Sequence, residues 1–73
     1  MLTNQEIGVQ LQRLRESHNM SLGDLSRVIG KHRSTIHLYE NGSVSISIPI
    51  LKSILSVYGV NVGRFLDGIE SHV

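Results

Sequence analysis

The sequence has no cysteine and no tryptophan, and only one phenylalanine among 73 residues. The missing thiols exclude disulfide staples and thiolate metal sites together, and agree with a reducing compartment. With aromatic residues at 4 %, the core must be built from Leu, Ile and Val. No apolar run approaches the roughly 18 residues of a membrane span. The N-terminus lacks the charged-then-apolar order of a secretory leader. A soluble, cytoplasmic chain folded as a single domain over 1–73 is therefore expected. An apolar fraction of 40 % is that of a packed domain, not a disordered segment. A chain this short buries only about 60 % of its unfolded surface, so a partner that adds buried area would help it.

Overall charge is also scarce: seven Lys+Arg against six Asp+Glu leave a net +1. The distribution says more than the total. No acidic residue lies between Leu25 and Tyr39, whereas Arg27, Lys31 and Arg33 fall there with His32 and His37. A local positive surface of this kind can hold phosphate even when the whole chain is nearly neutral.

Apolar spacing and capping residues divide the chain into five helices. Thr3 caps the first, with Glu6 at the reciprocal capping-box position, and Ile7, Leu11 and Leu14 share one face. Ser21 and Asp24 open a second helix over about 22–29, with Leu22, Leu25, Val28 and Ile29 on its buried side. Gly30 stops it. A third runs from about Arg33 to Asn41 with His32 near its cap. It turns Ile36 and Tyr39 inward and Arg33, Ser34, His37 and Leu38 outward. Residues 43–50 alternate in the manner of a strand, but without a second strand to pair with they are expected to form an extended loop. Ser47 then caps a fourth helix with Pro49 in its first turn, carrying Leu51, Ile54, Leu55 and Tyr58. Asn61 caps a short fifth with Val62, Phe65 and Leu66, expected to end before Gly68. The fold class is all-α, and two short helices joined by a glycine-containing turn form a helix-turn-helix over 21–42.

The stretch SLGDLSRVIGKHRSTIHLYENG, from Ser21 to Gly42, resembles the helix-turn-helix of the phage repressor and Cro family, the xenobiotic-response-element class. Ile7-Gly8, Leu11, Leu14, Arg15, Leu51, Ile54, Tyr58-Gly59-Val60 and Leu66 extend the likeness over residues 6–67, and Glu40-Asn41-Gly42 is its most telling piece. The resemblance implies a compact five-helix DNA-binding domain whose third helix lies in the major groove of double-stranded DNA. Arg33, Ser34 and His37 would contact bases. Asn41 would touch phosphate, and Glu40 would pair with Arg15. It also implies a homodimer on a twofold-symmetric operator, joined through the last helices and the loop before them, over about 43–67. The chain departs from the family pattern at Leu22, where glutamine is usual, at Ser26 in place of alanine, and at Lys31 in place of an apolar residue.

Side-chain chemistry agrees with these roles. Arginine donates two parallel hydrogen bonds to guanine O6 and N7. Serine donates or accepts, and histidine donates to guanine N7 or to phosphate. Arg27 and Lys31 are placed for phosphate, and the N–H groups around Gly23 open the second helix as an anion site. Ile46, Ile48, Val60, Val62 and Phe65 exceed the needs of a small core and are candidates for an interface with a second copy. A different protein is the other candidate partner, such as the toxin of a toxin–antitoxin pair. Nothing suggests an enzyme or a cofactor: the four histidines form no H-E-x-x-H, His32 and His37 are five apart, and no glycine-rich phosphate loop exists.

Overall fold

The computed structural model describes residues 2–70 and is all-α among them; His72 lies outside the described residues. Its five helices are α1 (Asn4–Ser17), α2 (Leu22–Ile29), α3 (Arg33–Glu40), α4 (Ile48–Val57) and α5 (Val62–Glu70). The predicted caps lie where the short polar residues stand. The Thr3 hydroxyl accepts from the N–H of Glu6 at 3.0 Å, and Ser47 and Asn61 begin α4 and α5 in the same way. At α2 both halves of the box are made, Asp24 N–H to Ser21 Oγ at 3.0 Å and Ser21 N–H to Asp24 Oδ2 at 2.9 Å. The serine-rich segment before α4 is a loop, as expected, and the amide of Asn4 donates to the Ser45 hydroxyl, tying that loop to α1.

One apolar cluster draws on every helix: Leu11, Leu25, Ile36, Leu51, Ile54, Leu55, Phe65 and Ile69. Leu25, Ile36, Leu51, Ile54 and Leu55 are essentially inaccessible to solvent. α3 packs on α1 and α2, and α5 closes against α1 and α4. The cluster is almost wholly aliphatic, as the shortage of aromatic residues requires.

Two sequence expectations need correction. Val28 is 61 % exposed rather than buried. Leu22, Leu25 and Ile29 already define the inward stripe of α2, and at about 100° per residue Val28 falls roughly a quarter-turn from its centre. The last helix does not stop before Gly68 but continues to Glu70, because Ile69 extends its apolar stripe into the core at 7 % exposure. A glycine in a helix costs about 1 kcal/mol relative to alanine, an amount that burial of one isoleucine offsets.

Candidate nucleic-acid interface

The turn between α2 and α3 is three residues long and is fixed by local chemistry. Gly30 takes a left-handed φ of 71°, where a side chain would be strained, and its N–H bonds the Ser26 carbonyl at 3.0 Å. The Ser26 hydroxyl donates to the Lys31 carbonyl across the same turn. Ser26 thus makes a bond that an alanine at this position could not make. His32 then caps α3, its Nδ1 accepting from the N–H of Ser34 at 3.1 Å.

α3 is strongly two-faced. Ile36 and Glu40 are buried and Tyr39 is half-buried, whereas Arg33, Ser34, His37 and Leu38 are exposed. Arg33 and His37 lie four residues apart, as do Ser34 and Leu38, so the exposed set forms two adjacent rows along one face. The structure therefore brings the three predicted base-reading residues together. Leu38, an exposed apolar group, stands beside them as expected.

What holds that face in place is a buried ion pair. Arg15 Nε donates to Glu40 Oε2 at 2.8 Å and Nη2 donates to Oε1 at 3.1 Å, a two-pronged contact across α1 and α3. Arg15 Nη1 donates to the Met20 carbonyl at 2.8 Å, so one guanidinium ties α1, the loop after it and the end of α3. The side chains are 11 % and 5 % exposed. The hydrogen bond to Glu40 holds the Arg15 pKa above its ordinary value despite burial. Tyr58 lies beside the pair, and its pKa is raised by burial first and by the Glu40 charge second. Its ring meets the His18 imidazole with centroids 4.8 Å apart.

The sequence gives little warning of a second requirement of this junction. A Cβ on Gly8 would lie 2.3 Å from the Glu40 carbonyl oxygen and 2.5 Å from that of Tyr39, so α1 and α3 cross backbone against backbone. Its only sequence signal is a glycine inside an otherwise good helix, which marks a close approach.

The predicted phosphate-contacting residues lie on α2, in the turn after it and at the end of α3. Lys31 in the turn and Asn41 at the end of α3 are exposed, and Gly23 sits in the first turn of α2. Asn41 Oδ1 accepts from the Ser43 N–H at 2.9 Å, which leaves its amide hydrogens as the outward donors. Arg27 is 75 % exposed and paired with Asp24 one helical turn earlier. Such an exposed pair is weak and readily exchanged for another anion.

The predicted interface residues divide into two groups. Ile48, Val60 and Val62 line an open groove of about 450 Å³ between α4 and α5, completed by Lys52, Ser56, Asn61 and Gly63. Ile48 is 59 % exposed. Ile46 is half-buried against the core, and Phe65 at 8 % exposure belongs to the protomer's own core. Among the described residues no cluster of three or more His, Asp or Glu is arranged to hold a metal ion.

Comparison with known proteins agrees with this geometry. A family model described as helix-turn-helix matches residues 11–65. Over 64 residues the chain is 33 % identical to an HTH-type transcriptional regulatory protein of Methanosarcina acetivorans, covering 88 % of this chain and 20 % of that protein. A protein of the same description from Methanosphaerula palustris is 42 % identical over 60 residues, 82 % of this chain and 20 % of its own length. Antitoxin PezA of Streptococcus pneumoniae is 29 % identical over 55 residues, 75 % of this chain and 35 % of the antitoxin. The chain thus spans about a fifth of the archaeal regulators and about a third of the antitoxin. The match to the family model covers well over half of the sequence and includes both helices of the motif and the turn between them, and the chain belongs to the helix-turn-helix family.

Proposed function

We propose that the chain binds duplex DNA sequence-specifically and represses transcription as a cytoplasmic homodimer on an inverted-repeat operator. The observation that carries this reading is the exposed face of α3. Arg33, Ser34 and His37 stand together on a helix whose opposite face is anchored by Ile36 and the Arg15–Glu40 pair. A rigid helix with clustered donors on one side suits the major groove, and Arg33 suits guanine. Lys31, Asn41, Arg27 and the N–H groups near Gly23 supply the backbone contacts that set register without reading sequence. The reading is of a non-catalytic regulator, in keeping with the family.

The groove formed by Ile48, Val60 and Val62 supports self-association through residues 43–67, whereas Ile46 and Phe65 pack against or within the protomer's own core. Two recognition helices in one dimer would then meet successive major grooves roughly 34 Å apart. The likeness to antitoxin PezA favours a second reading, an antitoxin whose DNA binding is autoregulatory and whose partner is a toxin protein. Selection of bound sequences from a random duplex library, with sedimentation of the purified protein, separates the two. An inverted repeat and a dimer support the repressor; no enriched sequence from folded protein supports the protein-partner reading.

A further inference from the structure

We infer that His32 is a positioning residue for base recognition: it fixes the Ser34 hydroxyl so that Ser34 meets the DNA as a hydrogen-bond acceptor. This rests on the proposal that α3 reads base edges. The two residues are joined twice. His32 Nδ1 accepts from the backbone N–H of Ser34 at 3.1 Å, and the same nitrogen lies 2.7 Å from Ser34 Oγ.

Proton placement follows from that network. A backbone N–H can only donate, so Nδ1 must be unprotonated and the ring proton must sit on Nε2. An unprotonated Nδ1 can only accept, so its one lone pair is shared in a three-centre contact between the Ser34 N–H at 3.1 Å and the Ser34 hydroxyl at 2.7 Å, which donates its one hydrogen to the imidazole. What remains on Ser34 Oγ is its lone pairs. The helix start thereby removes the ambiguity that makes serine a poor reader of bases, since a free hydroxyl satisfies donors and acceptors alike.

The consequence is a definite base class. In the major groove adenine N6 and cytosine N4 present donors, whereas guanine offers O6 and N7 and thymine O4, all acceptors. Ser34 held as an acceptor selects adenine or cytosine on the strand it faces and disfavours guanine and thymine. Arg33, carrying only donors, selects guanine at its own position. One net hydrogen bond sets the expected preference at about two- to tenfold at the Ser34 position.

The test is sequence selection from a random duplex library with wild type, Ser34→Ala, His32→Gly and His32→Asn. Glycine is tolerated at an N-cap, so His32→Gly removes the acceptor without removing the helix start, and asparagine restores an acceptor oxygen. Ser34→Ala should flatten one position, which identifies it, and wild type should enrich adenine or cytosine there. His32→Gly should flatten the same position while leaving the Arg33 guanine in place, and His32→Asn should restore the preference. Nitrogen NMR of the free protein should show His32 with Nδ1 unprotonated and Nε2 protonated. A proton on Nδ1, guanine or thymine at the Ser34 position, or an unchanged pattern in His32→Gly each overturns the inference while DNA reading by α3 stands. No enriched sequence with wild type overturns that reading, and this inference with it.

Discussion

Replacing Arg15 by methionine removes the charge that neutralises Glu40 while keeping much of the aliphatic bulk. Glu40 is 5 % exposed and both of its carboxylate oxygens accept from Arg15, so the variant leaves a buried anion with neither donor. The Met20 carbonyl loses its 2.8 Å partner in the same step. Breaking a buried pair from one side costs about 3–5 kcal/mol. A domain of this size has roughly 4–11 kcal/mol in total at 0.05–0.15 kcal/mol per residue. At about 4–8 °C per kcal/mol for small domains, the lower figure already lowers Tm by roughly 12–24 °C. Adding Glu40→Leu should recover most of that loss, since two apolar side chains of similar volume replace a buried pair with little penalty. Thermal unfolding followed by circular dichroism on wild type, both single variants and the double variant measures this directly. A single variant that melts with wild type, or a double variant no better than Arg15→Met, refutes the buried-pair account.

Other expectations follow from the same packing. Gly8→Ala should lower stability by about 1–3 kcal/mol in chemical denaturation, reversing the usual gain of alanine in a helix, because the new Cβ would meet the Glu40 carbonyl oxygen at 2.3 Å. The Asp24 pKa is lowered by its hydrogen bonds with the Ser21 backbone and hydroxyl, and by Arg27. Its contribution is therefore complete above the unfolded carboxylate value of about 4 and is lost as pH falls through the lower folded value. Melts between about pH 5 and pH 2 should show Asp24→Asn with a shallower acid decline than wild type, and parallel curves would remove this role. Ile48→Asp should leave the fold intact, since an acid suits the first turn of α4, but should shift sedimentation from dimer to monomer. An unchanged dimer would place the interface elsewhere.

The fold was largely legible in the sequence because each boundary carries its own chemistry. Ser21, Ser47 and Asn61 cap helices, Gly30 breaks one, and the apolar spacing between them has the helical period. Less legible were features that depend on tertiary placement. Gly8 is a weak helix former until α3 is laid across it, and Val28 looks as apolar as Ile29 until the inward stripe is seen to be narrow. Phe65 reads as an apolar surplus because a list of hydrophobic residues does not show which of them the core absorbs. In the candidate site, α3 helical spacing suffices to group Arg33, Ser34 and His37. The double contact of His32 with Ser34 depends on a ring orientation that spacing does not encode. The Met20 carbonyl as a ligand of Arg15 is likewise invisible, since every residue carries a carbonyl and only the chain path selects one.

Base reading by Arg33 on α3 is put to the test by comparing wild type with Arg33→Ala. Their affinities should be measured for the selected operator and for a random duplex at about 0.15 M salt. Arg33→Ala should lose about 1–3 kcal/mol on the operator and much less on random DNA, with relaxed discrimination at one base position. Equal weakening on both duplexes would contradict it, and would make Arg33 a phosphate contact on a helix that does not read sequence.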